Sequence, residues 1–119
     1  MIEIMGESAD DLVAARASGK ITAEDYSEVW VPALQKAIDA HGKIRALLYM
    51  DETFDGWELG AMWEDAKFGL SRMDEFEKVA LVGAPEWVDK IVELTGHLTS
   101  ITFKSFPTGS LDEALGWLR

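Results

Sequence analysis

Ile2 and Ile4 flank a glutamate at the start of the chain. After a polar turn from Gly6 to Asp10, the run Leu12-Val13-Ala14-Ala15-Arg16-Ala17 reads as a second short strand, closed by Ser18-Gly19. The pair predicts an opening hairpin. Thr22 is then placed to cap a helix, with Asp25 three residues on in the reciprocal position of a capping box. Along that helix Tyr26, Val29, Trp30, Ala33, Ala37 and Ala40 share one face at helical spacing, Pro32 is expected to bend or split it around Val31, and Gly42 ends it after His41.

From Ile44 to Met50 the pattern changes to a nearly continuous apolar run, which is the mark of an interior strand covered on both faces and the centre of a sheet. Asp55, with Glu58 three residues later, predicts the start of a second helix running to about Met73. Val79 to Gly83 reads as the next buried strand, Pro85 to Thr95 as a third helix and Ile101 to Phe106 as the last strand. Ser110, followed by Glu113, is expected to cap a final helix over Leu111 to Leu118. Strands and helices therefore alternate after the hairpin, which predicts an α/β fold with a largely parallel sheet and right-handed crossovers. Residues 1–119 carry no repeat, linker or low-complexity stretch and read as one domain.

Composition narrows the partners more than the fold. Twenty-two acidic against eleven basic side chains leave a net charge of −11, which opposes phosphate backbones and anionic lipid alike, so nucleic acid is excluded as an expected partner and stable membrane association is disfavoured. Cysteine is absent, removing disulfides, thiolate metal sites and cysteine nucleophiles together. The N-terminal residues have no basic segment ahead of an apolar stretch, and no apolar run reaches membrane-spanning length, so a cytoplasmic protein is expected.

The sequence carries few residues in patterns that chemistry requires. The two histidines, His41 and His97, have no partner at metal-ligand spacing and fall near helix C-termini, where positive charge is favoured; no metal site and no cofactor is expected. The glycines are dispersed, and Gly83-Ala84-Pro85 lacks both the repeat and the lysine of a phosphate loop. No serine lies in a nucleophile elbow. Asp51, Glu52, Asp55, Glu58, Glu64 and Asp65 gather after the central strand, where α/β sites tend to lie, yet capping and a solvated helix face account for most of them. No catalytic residue is assigned and the protein is expected not to be an enzyme.

The helix after the central strand has one apolar face too many. On a wheel at about 100° per residue, Leu59, Met62, Trp63, Ala66, Leu70 and Met73 form a stripe expected to pack on the sheet, while Trp57, Ala61 and Phe68 gather on the opposite side. Either Trp57 folds back onto the Phe54 loop and Phe68 packs on a neighbouring helix, or the second face marks a ligand, a partner or a dimer interface. Phe54, Trp57, Ala61, Met62, Trp63 and Phe68 are the candidate binding residues.

Several stretches in order resemble one bacterial family: Gly19 to Tyr26, Val31-Pro32-Ala33-Leu34, Ile44 to Leu48, Trp63 to Phe68, Val79 to Gly83, and the closing Glu113 to Leu118. Together they resemble the SpoIIAA-like family, related in fold to the STAS domains of anti-sigma factor antagonists. The resemblance implies a mixed five-stranded sheet with helices on both faces, a fold also similar to the CRAL-TRIO lipid-binding type. In STAS antagonists a phosphorylatable serine opens the helix after the central strand. The matching Asp51 to Trp57 stretch has no serine, which leaves Thr53 as the candidate hydroxyl, with an added dianion opposed by Asp51, Glu52 and Asp55.

Three readings follow. The first is a non-enzymatic module whose helix after the central strand covers a site for a small apolar or lipid-like molecule. The second is a STAS-like regulatory protein that binds a protein partner through the same edge. The third is a homodimer that buries Trp57 and Phe68 between copies.

Overall fold

The apolar run Ile44–Met50 becomes β3, the middle of five strands in the computed structural model of the protein, ordered β1-β2-β3-β4-β5 across the sheet. The structure describes residues 1–61, 63, 67, 73–88, 90 and 102–119. The opening hairpin forms as expected: β1 (Ile2–Ile4) pairs antiparallel with β2 (Leu12–Ala17), Ile2 opposite Ala17. β2 and β3, β3 and β4 (Phe76–Val82), and β4 and β5 (Thr102–Phe106) are all parallel pairs, so the sheet is mixed and mostly parallel. β4 starts three residues before the stretch expected from the sequence, because Phe76 pairs with Ile44 of β3 and, past an irregularity at Glu77, Lys78 pairs with Arg45 of β3 and Thr102 of β5.

Alternation along the strands makes two cores, one on each sheet face. Val13, Ala15, Ala17, Ile44, Ala46, Leu48 and Met50 face one way, into a cluster completed by Tyr26, Trp30, Leu34 and Ile38. Leu12, Ala14, Leu47, Ala80, Val82 and Phe106 face the other way, under the C-terminal helix α3 (Leu111–Leu118), which contributes Ala114, Leu115 and Leu118. Parallel strands linked in sequence by right-handed crossovers put the crossover helices on one face. Ala61, between β3 and β4, accordingly joins the same cluster as Tyr26 and Trp30, and α3 alone of the described helices packs on the reverse side.

The first crossover starts at the capping box read from the sequence. Thr22 Oγ1 accepts from Asp25 N–H at 3.2 Å, and the Asp25 carboxylate accepts from Thr22 N–H at 2.8 Å, opening α1 (Ala23–Asp25). Pro32 does not split the run. A π-helical turn over Tyr26–Trp30, with Val31 N–H bonded to Tyr26 O, leads directly into α2 (Val31–His41) and places the proline in the first turn, where its missing donor is tolerated. That wide turn also corrects the buried face. A wheel at about 100° per residue gathers Ala33, Ala37 and Ala40 with Tyr26, but the wide turn holds back the rotation and brings Leu34 and Ile38 into line behind Tyr26 and Trp30; Ala40 is exposed. Gly42, at φ +83°, closes the helix in a conformation that side chains with a Cβ rarely adopt.

Ser110 precedes α3, but its hydroxyl makes no capping hydrogen bond and the Ser110 carbonyl accepts the Ala114 N–H instead. Its backbone, at φ −102° and ψ 29°, is not the extended conformation that aims an N-cap side chain at the first turn. The other end of α3 is held from the sheet: Lys78 Nζ donates to Trp117 O at 3.0 Å and Arg45 donates to Leu118 O. The helix has no basic residue in its own last turn, so β3 and β4 supply the positive charge its C-terminal carbonyls favour.

Candidate functional site

At the carboxyl end of β3 the chain turns on a buried aspartate. Asp51, 7% exposed, accepts from Thr53 N–H at 2.9 Å and from the Thr53 hydroxyl at 2.7 Å on one carboxylate oxygen. On the other it accepts from Arg16 Nε, at the matching end of β2, at 2.8 Å. The Thr53 hydroxyl, and after it the Arg16 guanidinium, hold the carboxyl below its ordinary value of 3.8 despite its burial. A carboxylate held ionised in this way anchors a turn and is a poor proton donor. Thr53 itself stands exposed, its Oγ1 also accepting from Gly19 N–H at 3.3 Å.

The next residues run as an extended strap rather than a helix. Thr53 O accepts from Gly19 N–H, Asp55 N–H donates to Gly19 O, Gly56 O accepts from Ile21 N–H, and Glu58 N–H donates to Ile21 O. Ile21 and Trp57 form an isolated parallel bridge. Asp55 is therefore no helix cap, because its backbone N–H is already bonded to Gly19 O and helical backbone starts only four residues later. Trp57 likewise lies outside the helical wheel on which the sequence placed it. Its ring folds back, one of the two outcomes read from the sequence: Nε1 donates to the hydroxyl of the buried Tyr26 at 2.9 Å, and Phe54 and Trp87 meet it edge-on with centroids 4.8 and 5.6 Å away.

Helical backbone begins only at Leu59, and its orientation reverses the expected one. Ala61 is fully buried in the cluster beneath the sheet, whereas Leu59 and Trp63, placed by the wheel on the packed stripe, are 86% and 67% exposed. Close approach explains the reversal: a Cβ at Gly60 would stand 3.3 Å from the Ala23 Cβ, so at this helix start the small Ala61 faces the body and Leu59 and Trp63 face out. Met62 and Phe68, the remaining members of the predicted set, lie outside the described residues, as do Glu64, Asp65 and His97. Phe54, Trp57 and Ala61 thus sit on the inner side of this edge and Trp63 on its outer side. Pattern reading missed Trp87, 45% exposed and in contact with Trp57, and Tyr26 as the tether of that ring. The five-tryptophan content was the one signal that could have pointed to them.

Elsewhere at the carboxyl end of the sheet, a cleft of about 390 Å³ lies between β4 and β5, lined by Gly83, Ala84, Ser105, Phe106, Pro107 and Thr108. Gly83 is required there. At φ +77° it passes so close to β3 that a Cβ would stand 2.5 Å from Met50 O. Among the described residues no charged side chain lines the cleft, and neither Trp57 nor Trp63 reaches it. Glu52, Asp55 and Glu58 are exposed and His41 is exposed at the end of α2. Among the described residues no group of three or more His, Asp or Glu side chains could hold a metal ion, and no helix is long and apolar enough to cross a membrane.

The arrangement offers an exposed apolar pair and a hydrogen-bonded aromatic cluster beside a turn anchored by a buried aspartate paired with an exposed arginine. Comparison with known proteins places it. A family model described as SpoIIAA-like matches residues 12–119. An uncharacterised protein from Shewanella loihica PV-4, whose crystal structure has a SpoIIAA-like fold, is 34% identical, with 99% of this chain and 94% of that one covered at a TM-score of 0.75. No curated protein matches the chain.

Proposed function

The chain belongs to the SpoIIAA-like family, and from that premise we propose that it is a non-enzymatic regulatory module that docks a protein partner on the outer face of the helix following the central strand. The observation that carries this reading is the exposure of Leu59 and Trp63, one helical turn apart, on a helix whose inward position is an alanine. A tryptophan left 67% exposed adds nothing to the core, and tryptophans on protein surfaces are favoured anchors of interfaces.

A photo-cross-linking residue at Leu59, with a control at Asp112 on the reverse face, tests it. A discrete protein adduct from position 59 and none from 112 is the expected result. Equal labelling at both positions, or adducts to lipid only, sinks the reading.

The half-buried cluster of Phe54, Trp57 and Trp87 favours a second reading, a site for a small apolar molecule beside those rings. Native mass spectrometry of the purified protein would reveal it as a retained mass that Trp57→Ala abolishes and Trp63→Ala leaves in place.

A further inference from the structure

We propose that the segment docking on the Leu59–Trp63 face is a cationic amphipathic helix of another protein, an inference that rests on the partner-binding reading above. Leu59 and Trp63 are four residues apart, so they present two anchors at the spacing that one face of a facing helix meets. Two side chains are a small apolar area for a stable complex: a tryptophan buries about 150–250 Å², well short of the roughly 800 Å² per partner of a standard interface. The rest of the contact must be polar, and the polar surroundings are acidic.

Asp55 and Glu58 precede the pair directly and both are exposed. Glu24, also exposed, follows Ala23, whose Cβ would meet a side chain at Gly60 at 3.3 Å and so lies against the same helix start. Glu52 is exposed on the same strap, and Glu86 is exposed beside Trp87. Among the described residues the exposed cations of this region are Arg16, already paired with Asp51, and Lys20, Lys67 and Lys90, fewer than the five acids, and the chain as a whole carries −11. Such a rim attracts a basic segment and repels an acidic one within a Debye length of about 8–10 Å. A second copy is disfavoured on the same ground, because a two-fold interface would set one acidic rim against its twin. An anionic membrane is repelled likewise.

Two synthetic peptides of about 18 residues, or some five helical turns, provide the test. They share a leucine face and differ only in carrying Lys or Glu on the polar face. Titrated calorimetrically into the full chain at low salt, the Lys peptide is expected to bind with Kd on the order of tens of micromolar and the Glu peptide not at all. Trp63→Ala should weaken binding about tenfold, and the triple change Glu24→Gln, Asp55→Asn, Glu58→Gln should remove most of the salt dependence, each variant keeping the circular dichroism of the parent. Equal binding of both peptides, or Lys-peptide binding indifferent to Trp63→Ala, overturns the proposal. So does a Trp63-dependent dimer in light scattering, or Trp63-dependent binding to neutral phosphatidylcholine vesicles. A protein adduct at position 59 without Lys-peptide binding removes this inference and leaves the docking reading intact; loss of both removes both.

Discussion

On the run from β2 to β3, Tyr26 and Trp30 are 1% and 6% exposed; on the stretch that leaves the sheet after β3, Leu59 and Trp63 are 86% and 67% exposed. Both run over the same face of the same sheet, and both carry a large aromatic beside aliphatic residues. The first is set by a capping box and a wide helical turn that keep its large side chains pointing down. The second is set by a strap bonded to residues 19–21, after which Ala61 takes the inward position and Gly60 lets the helix start lie close to Ala23. Tyr26 and Trp30 on the first helix are there for folding, and Leu59 and Trp63 on the second are available for something else. The two carboxylates at the helix starts show the same division: Asp25 caps α1, whereas Asp55 is absorbed into backbone pairing.

The largest expected break in that comparison is between the tryptophans. Trp30→Ala should lower unfolding free energy by about 3–5 kcal/mol, while Trp63→Ala should stay within about 0.5 kcal/mol; urea unfolding of the two variants and the parent measures both. Ala61→Leu forces extra volume into the inward position and should cost about 1–3 kcal/mol, whereas Leu59→Ala in the same assay should be nearly silent. Tyr26→Phe removes the hydroxyl that accepts from Trp57 and should cost about 0.5–1.5 kcal/mol, accompanied by a red shift of tryptophan emission as that ring loosens.

The smallest effect concerns the carboxylates. Asp51 and Asp25 both lie below their ordinary 3.8. For Asp51 the Thr53 hydroxyl is the main cause; for Asp25, burial pushes the other way and the Thr22 donors outweigh it. Groups lowered in the folded state contribute stability above 3.8 that is lost as pH falls below it toward their folded values. Thermal melts taken down through that range should decline less steeply for Asp51→Asn than for the parent. An unchanged slope would show that the Arg16–Asp51–Thr53 turn adds no stability through charge.

Patterning was a good guide wherever one element's own residues decide its state. The hairpin, the central strand, the Thr22 box and the strand order after it are local consequences of alternation, β-branched and apolar runs, and side-chain donors within reach of their own backbone, while most of the helices expected up to Met73 and over Pro85 to Thr95 lies outside the described residues. The sequence resemblance also led to the family, because residues 12–119 keep its order and spacing. Candidate site residues were legible as a set but not by face. Trp57 was assigned to a helix because nothing local announces that residues 53–58 bond to residues 19–21, more than thirty positions earlier. Ser110 had the right type at the right place and the wrong backbone angle.

By itself, then, the sequence determined the class of fold, the strands that form the sheet, the acidic surface and the general place where an aromatic excess gathers. Only the tertiary structure decided which side of that place faces water. The reason is physical: a wheel ranks side chains by hydrophobicity and assumes uniform rotation, but rotation here is set by the hydrogen bonds that tie the preceding strap to residues 19–21 and by how closely Gly60 and Ala61 let the helix approach the body, and both are properties of the assembled chain.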